Sequence, residues 1–126
     1  MILSTILIII SAIANAVMDK ISFHHSTSIF KNWSNFWNPK ESWKNKWKNG
    51  DKQQGERFPL SSSLLVGFTD AWHAAKFVMR WSMLGAVISY GASEPMFGLF
   101  YDGVLMGFMM VFTFGLFFTY LLTKKK

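Results

Sequence analysis

Between Met96 and Thr123 the chain carries one charge, Asp102, in a run otherwise built from Phe, Leu, Met, Gly, Val, Tyr and Thr. A segment this long and apolar exceeds the roughly 20 residues that a helix needs to cross a bilayer core. In lipid, backbone polar groups are satisfied only within a helix or a closed barrel, and the run lacks the strict alternation of a barrel strand. Met1 to Met18 is a second such run, rich in Ile and broken only by Ser4, Thr5, Ser11 and Asn15. With 51% hydrophobic residues gathered into blocks, the chain reads as an all-α integral membrane protein rather than a soluble domain.

The middle block, Leu60 to about Tyr90, reads as a further helix, and it is the unusual one. It contains Asp70, His73, Lys76 and Arg80 among Ala, Phe, Val, Met and Trp. At about 100° per residue these four fall within an arc of roughly 120°. They form one polar stripe covering about 15 Å of helix, near half the hydrocarbon thickness. Ionisable groups at such depth are costly and normally face a partner, a bundle interior or a water-filled cavity.

The turn Gly91-Ala92-Ser93-Glu94-Pro95 joins this helix to the third. If the two fold back on each other, Arg80 and Asp102 reach similar depth, with a mismatch of about 6 Å that an Arg side chain can span. An Arg80–Asp102 ion pair is therefore expected, neutralising two charges that are costly alone. Gly103 and Gly107 make a small-x-x-x-small motif in the third helix, the spacing that lets helix backbones approach closely in lipid.

Charge sets the expected topology. The chain has 13 Lys and Arg against 7 Asp and Glu. Lys20, Lys31, Lys40, Lys44, Lys46, Lys48, Lys52 and Arg57 lie in residues 19–58, and the chain ends Lys124-Lys125-Lys126. The segment around Ser93-Glu94-Pro95 has no cation, so the positive-inside rule puts it outside and the basic loop in the cytoplasm. Ala14-Asn15-Ala16 has the small-x-small form of a signal-peptidase site, but no Lys or Arg precedes the apolar run as a signal peptide requires. An uncleaved first helix is the favoured reading. The resulting division is 1–18 a first span, 19–59 a basic Trp-rich loop, 60–123 a helical hairpin and 124–126 a basic tail.

Within the loop, Asn38-Pro39-Lys40-Glu41 has the form of a helix start, with Asn as N-cap and Pro at the first helical position. A short helix to about Lys48 would put Trp43 and Trp47 on one side beside Lys40, Lys44 and Lys48. Trp favours the headgroup region and Lys seeks anionic phosphates, so an interfacial helix on the inner leaflet is expected. The competing reading is a soluble cap whose Trp residues pack on one another. Nucleic acid is not the expected partner, because the basic surplus sits beside membrane segments.

No cysteine is present, which excludes disulfides and thiolate chemistry. Asp70 and His73 are two potential metal ligands one turn apart, with His24, His25 or Asp102 as the residues that would complete a site; no cofactor is otherwise implied. Neither a Gly-rich phosphate loop nor a Ser-His-Asp spacing is found, so an enzyme is the less favoured class.

The run Trp43-Lys44-Asn45-Lys46-Trp47-Lys48-Asn49-Gly50-Asp51, then Phe58-Pro59 and Leu65-Val66-x-x-Thr69-Asp70-Ala71-Trp72-His73, resembles small membrane proteins of Bacteroidota and their phages. That group has no established activity, so the resemblance transfers no functional residue. It implies that the basic loop and the Asp–His helix form one unit, in a bacterial inner membrane. The function expected from these features is an oligomeric membrane protein with a channel-like or ion-translocating polar core. The alternatives are an accessory or scaffold subunit, whose charges bind partner helices, and a metal-dependent membrane enzyme.

Overall fold

The computed structural model describes residues 1–124, so Lys125 and Lys126 of the basic tail lie outside the described residues. Every regular element among them is helical: α1 (Ile2–His24), α2 (Ala71–Gly91) and α3 (Leu99–Leu116), the last running into a wider π turn at Phe117–Leu121. Two segments, Ile2–Thr27 and Leu99–Leu121, are long and apolar enough to cross a membrane.

α1 and α2 pack antiparallel along their whole length, and small residues make this possible. Ser4, Ser11, Ala12 and Ala16 of α1 and Ala71, Ala75, Ser82 and Ala86 of α2 are buried. With so little side chain between them the backbones come close, as small residues allow between helices in lipid. Gly85 marks the tightest point, where a Cβ would lie 3.2 Å from Leu7 Cδ1. Serine hydroxyls hold the register: Ser4 and Ser89 hydrogen-bond each other at 2.7 Å, and Ser11 Oγ donates to the Met79 carbonyl at 3.1 Å. At the end of the pair the N-terminal amine of Met1 donates to Ser93 Oγ at 3.1 Å.

α3 leans on α1 and touches α2 only marginally. α2 and α3, joined by the 92–98 turn, each pack chiefly on α1 rather than on each other. Most of α3 is exposed, including Phe100, Val104, Phe108, Val111 and Phe112.

The apolar core gathers at one end, the foot, where α1 finishes and α2 begins. Ala16, Ile21, Phe30, Ala71 and Leu122 are buried there, with Phe36, Trp37, Trp72 and Phe118 packed around them. Phe30 stacks on Trp37 at 4.6 Å between centroids, and Trp33 meets both rings edge-on. The chain's end closes the foot: Ile29 N–H donates to the Leu122 carbonyl and Lys124 N–H to that of Thr27.

Two expected helical stretches take another form. Residues 60–69 are turns and a short 3₁₀ stretch, Val66–Phe68, not the start of α2. Leu60 adopts a positive φ of 63°, which L-residues rarely hold in a helix, and Ser61 Oγ is drawn away to the Lys46 carbonyl at 2.7 Å. Residues 39–48 form turns and a short 3₁₀ stretch, Ser42–Lys46, rather than an amphipathic α-helix. An α-helix would need the Lys46 carbonyl for Gly50 N–H, but it accepts instead from Arg57 N–H at 2.9 Å and from Ser61. Lys48 N–H donates to Gly55, and Asn49 and Gly50 turn the chain with φ of 51° and 75°. A small hairpin has displaced the helix.

Candidate functional site

Because α2 begins at Ala71, Asp70 is not an intramembrane helix residue but its N-cap, with extended backbone at φ −154° and ψ 152°. Its Oδ1 accepts from His73 N–H at 2.8 Å, satisfying one orphan amide of the first turn. The same carboxylate lies 2.8 Å from His73 Nδ1 through both oxygens. The carboxylate thus fixes the ring with Nδ1 toward Asp70 and Nε2 turned away from it. Lys46 Nζ is 3.9 Å from Asp70 Oδ2, and Thr69 Oγ1 lies 3.4 Å from the same oxygen. Asp70 is only 4% exposed, so burial makes these partners necessary.

The loop is pinned to this point. Asn45 Nδ2 donates to the Thr69 carbonyl at 2.9 Å, one residue from the cap. A cavity of about 220 Å³ opens beside the cluster, lined by Ser42, Trp43, Lys46, Asp70, Trp72 and His73 among others. Chemically this is a buried carboxylate that orients an imidazole on one side and faces an ammonium on the other. It does not extend to an activated nucleophile, since neither Ser22 nor Ser42, both on the cavity wall, hydrogen-bonds His73.

The rest of the expected stripe separates from this pair. Lys76 Nζ lies 4.5 Å from the centroid of the Trp72 ring, a cation–π contact. Arg80 is exposed, and among the described residues no carboxylate pairs with it. The expected Arg80–Asp102 pair is not formed. Asp102, fully buried, accepts from Met96 N–H at 2.8 Å, Phe97 N–H at 3.1 Å and Tyr90 Oη at 3.1 Å. It ties the 92–98 turn to the start of α3, at the opposite end of α2 from Asp70. A carboxylate in the first turn of a helix also meets the positive end of its dipole.

Of the expected metal ligands, only Asp70 and His73 come together, and no group of three His, Asp or Glu able to hold a metal gathers among the described residues. His24 lies against Phe118, while His25 Nε2 is buried with no hydrogen-bond partner. The expected lipid-facing residues keep their exposure without the helix. Trp43 is half exposed, its indole N–H donating to the Lys40 carbonyl, and Lys40, Lys44 and Lys48 are exposed. Trp47 is half buried in the hairpin. Gly103 and Gly107 have open space where a Cβ would stand, so within the chain nothing uses their close-approach face.

Comparison with protein families, curated proteins and solved structures found no match to this chain. The residues that sequence reasoning missed are therefore defined by geometry alone. Lys46 stands among seven loop lysines, and only the fold selects it. Tyr90 and Asp102, twelve residues apart across a turn, could have been paired from the sequence, because a carboxylate just inside a helix start seeks nearby N–H and O–H donors.

Proposed function

We propose that this chain is a three-span membrane protein that acts as a non-conducting accessory subunit, binding a partner helix through the α2 face around Arg80. Two spans have the length and apolarity that crossing requires. For α2 the support is its partnership with α1: 21 residues, about 32 Å, locked in antiparallel register from Met1–Ser93 to Ser11–Met79. Its outward side is apolar, with Phe77, Trp81, Leu84, Val87 and Ile88 all exposed. The basic loop and the residues before the tail meet at the foot, in keeping with a cytoplasmic location for both.

Arg80 carries the proposal. It adjoins Met79, whose carbonyl bonds Ser11 near the middle of the Ile2–Met18 run, so α1 sets its depth near mid-membrane. From there either headgroup layer is about 15 Å away, beyond one side chain's reach. A cation at a helix centre costs about 2.5–3.5 kcal/mol on insertion scales. The chain's own carboxylates do not offset this, because Asp70 and Asp102 are engaged and Asp19 and Glu94 lie at the ends. A carboxylate on a neighbouring helix would, and it would give the docking its specificity.

Photo-crosslinking from Trp81 or Leu84 in native membranes names the neighbour. Arg80→Glu should then abolish the complex, and exchanging the neighbour's carboxylate for Arg should restore it. Normal assembly of Arg80→Glu would overturn the proposal.

A second reading, an ion-translocating oligomer in a bacterial inner membrane, draws on the Asp70–His73 pair and its cavity. It is less well supported because the polar groups lie apart: one pair at the foot, Lys76 on Trp72, and Asp102 at the far end.

A further inference from the structure

The stretch Leu60–Phe68 carries no charge, and the fold leaves its large side chains unburied. Leu64 is 78% exposed and Phe68 77%, with Leu60 and Leu65 also exposed. The segment does not trail away from the helices but lies alongside the first turns of α2. A Cβ on Gly67 would stand 3.6 Å from Ala74 Cα and 3.8 Å from the His73 carbonyl oxygen. An apolar slot of about 350 Å³ opens between Leu64, Leu65 and Phe68 on one side and Ala74, Phe77 and Val78 on the other.

α1 sets the level of this slot. Ala74 and Val78 also line an apolar groove of about 500 Å³ between α1 and α2, together with Ile10, Ile13 and Val17. The slot and the groove thus share wall residues, and the segment stands beside the interior of the Ile2–Met18 run. Counting from the Ser11–Met79 bond, Asp19 lies eight residues on and Asp70 nine back. The apolar run of α1 therefore ends at the level of the α2 cap. From that level Ala74 and Val78 are about 6 and 12 Å along the axis. Interfacial elements bury an apolar face at a similar depth, roughly 5–10 Å into the boundary of headgroups and acyl chains.

An irregular segment at that depth has to satisfy its own backbone. Leu65, Val66, Phe68 and Thr69 N–H donate to carbonyls of residues 60–66, and Leu60 and Ser62 N–H donate to the Glu56 carboxylate. The hydroxyls of Ser61 and Thr69 donate to the Lys46 and Val66 carbonyls. Arg57, Ser62 and Ser63, all exposed, supply a polar edge opposite the apolar one.

We infer that residues 60–68 form an amphipathic wedge embedded in one leaflet of the bilayer, with Leu64 and Phe68 among acyl chains that fill the slot against α2. Lipid is the occupant because the slot is continuous with the flank of α1, a helix long and apolar enough to cross a membrane. The inference rests on α2 crossing the bilayer, but not on Arg80 or any partner helix.

The chain has no cysteine, so a nitroxide can be attached at one position at a time. The test uses the full chain in liposomes of phosphatidylglycerol and phosphatidylcholine, labelled as Leu64→Cys, Phe68→Cys, Ser63→Cys or Val87→Cys. All four positions are exposed, so the helical circular dichroism should not change. Collision with oxygen, which partitions into lipid, is compared with collision with a water-soluble nickel chelate. Labels at Leu64 and Phe68 should favour oxygen severalfold, as at Val87, and the label at Ser63 should favour nickel. Nickel access at Leu64 and Phe68 with Val87 in lipid would overturn the wedge and leave the crossing of α2 standing. Nickel access at all three would overturn both. Poor access of both reagents to Leu64 and Phe68 would show a second copy of the chain on this face and reject lipid as its occupant.

Discussion

Asp102 and Arg80 show how differently two charges on largely apolar helices can be treated. Asp102 has three donors around it, two of them backbone N–H groups of the turn. Asp102→Asn keeps the shape but loses the charge that strengthens these bonds, each of the kind worth about 1.5–3 kcal/mol. A loss of about 2 kcal/mol in detergent unfolding is expected. Adding Arg80→Gln should recover none of it, whereas recovery would show an ion pair after all. Glu56, in the loop, gives a pH prediction. Ser62 donates to it from its hydroxyl and its backbone N–H, and Leu60 adds a third donor, so the Glu56 carboxyl is held below its ordinary range. A lowered folded-state pKa contributes stability above the unfolded value, about 4.3, and loses it as pH falls through the folded one. The protection of the Leu60 and Ser62 amides, relative to their intrinsic exchange, should therefore fall as pH drops through the acidic end of the carboxylate range. Glu56→Ala should leave these two amides with little protection at every pH, and an unchanged pH profile of protection in that variant would assign the effect to another group.

At the scale of elements, α1 and α3 were legible because long apolar runs admit one solution in lipid. α2 was half legible. Its C-terminal two-thirds follow the pattern, but its start was masked, since Leu60–Val66 is as apolar as the helix that follows it. Only the Lys46 carbonyl, claimed from a distance by Ser61 and Arg57, shows why the chain turns there. The loop helix failed for the same reason: a sound local cap at Asn38 was outweighed by a hairpin. The Asp70–His73 pair was legible from i, i+3 spacing, whereas the third member, Lys46, was not. Glycines separate two roles that spacing cannot. Gly85→Ile drives a side chain into Leu7 and should cost about 1–3 kcal/mol, with α2 displaced from α1. Gly107→Ile meets open space and should leave the monomer's melting unchanged. If Gly107→Ile alters association in the bilayer while the monomer stays intact, the Gly103–Gly107 face is a docking surface; if it melts the monomer, α3 packs more closely than the structure shows.

For the whole molecule, the arrangement is a tight α1–α2 pair, a loosely attached α3 and an aromatic foot built around the buried cluster of Ala16, Ile21, Phe30, Ala71 and Leu122. Among the described residues the charged clusters sit at the two ends of this body, and Arg80 lies exposed on α2 between them. The docking proposal draws on that distribution. A proton route would need polar groups following one another from foot to far end, whereas the α1–α2 seam holds Ser4, Ser11 and Ser82, each already hydrogen-bonded to a neighbour. The measurement that bears most directly on this is proton and ion leak from liposomes containing the purified protein, followed between about pH 5.5 and 7.5, where an imidazole commonly titrates. The liposomes should stay as tight as protein-free controls throughout that range, with His73→Gln indistinguishable from wild type. A leak that rises and falls with pH and vanishes in His73→Gln would contradict the non-conducting reading and make the Asp70–His73 pair part of a conduction path.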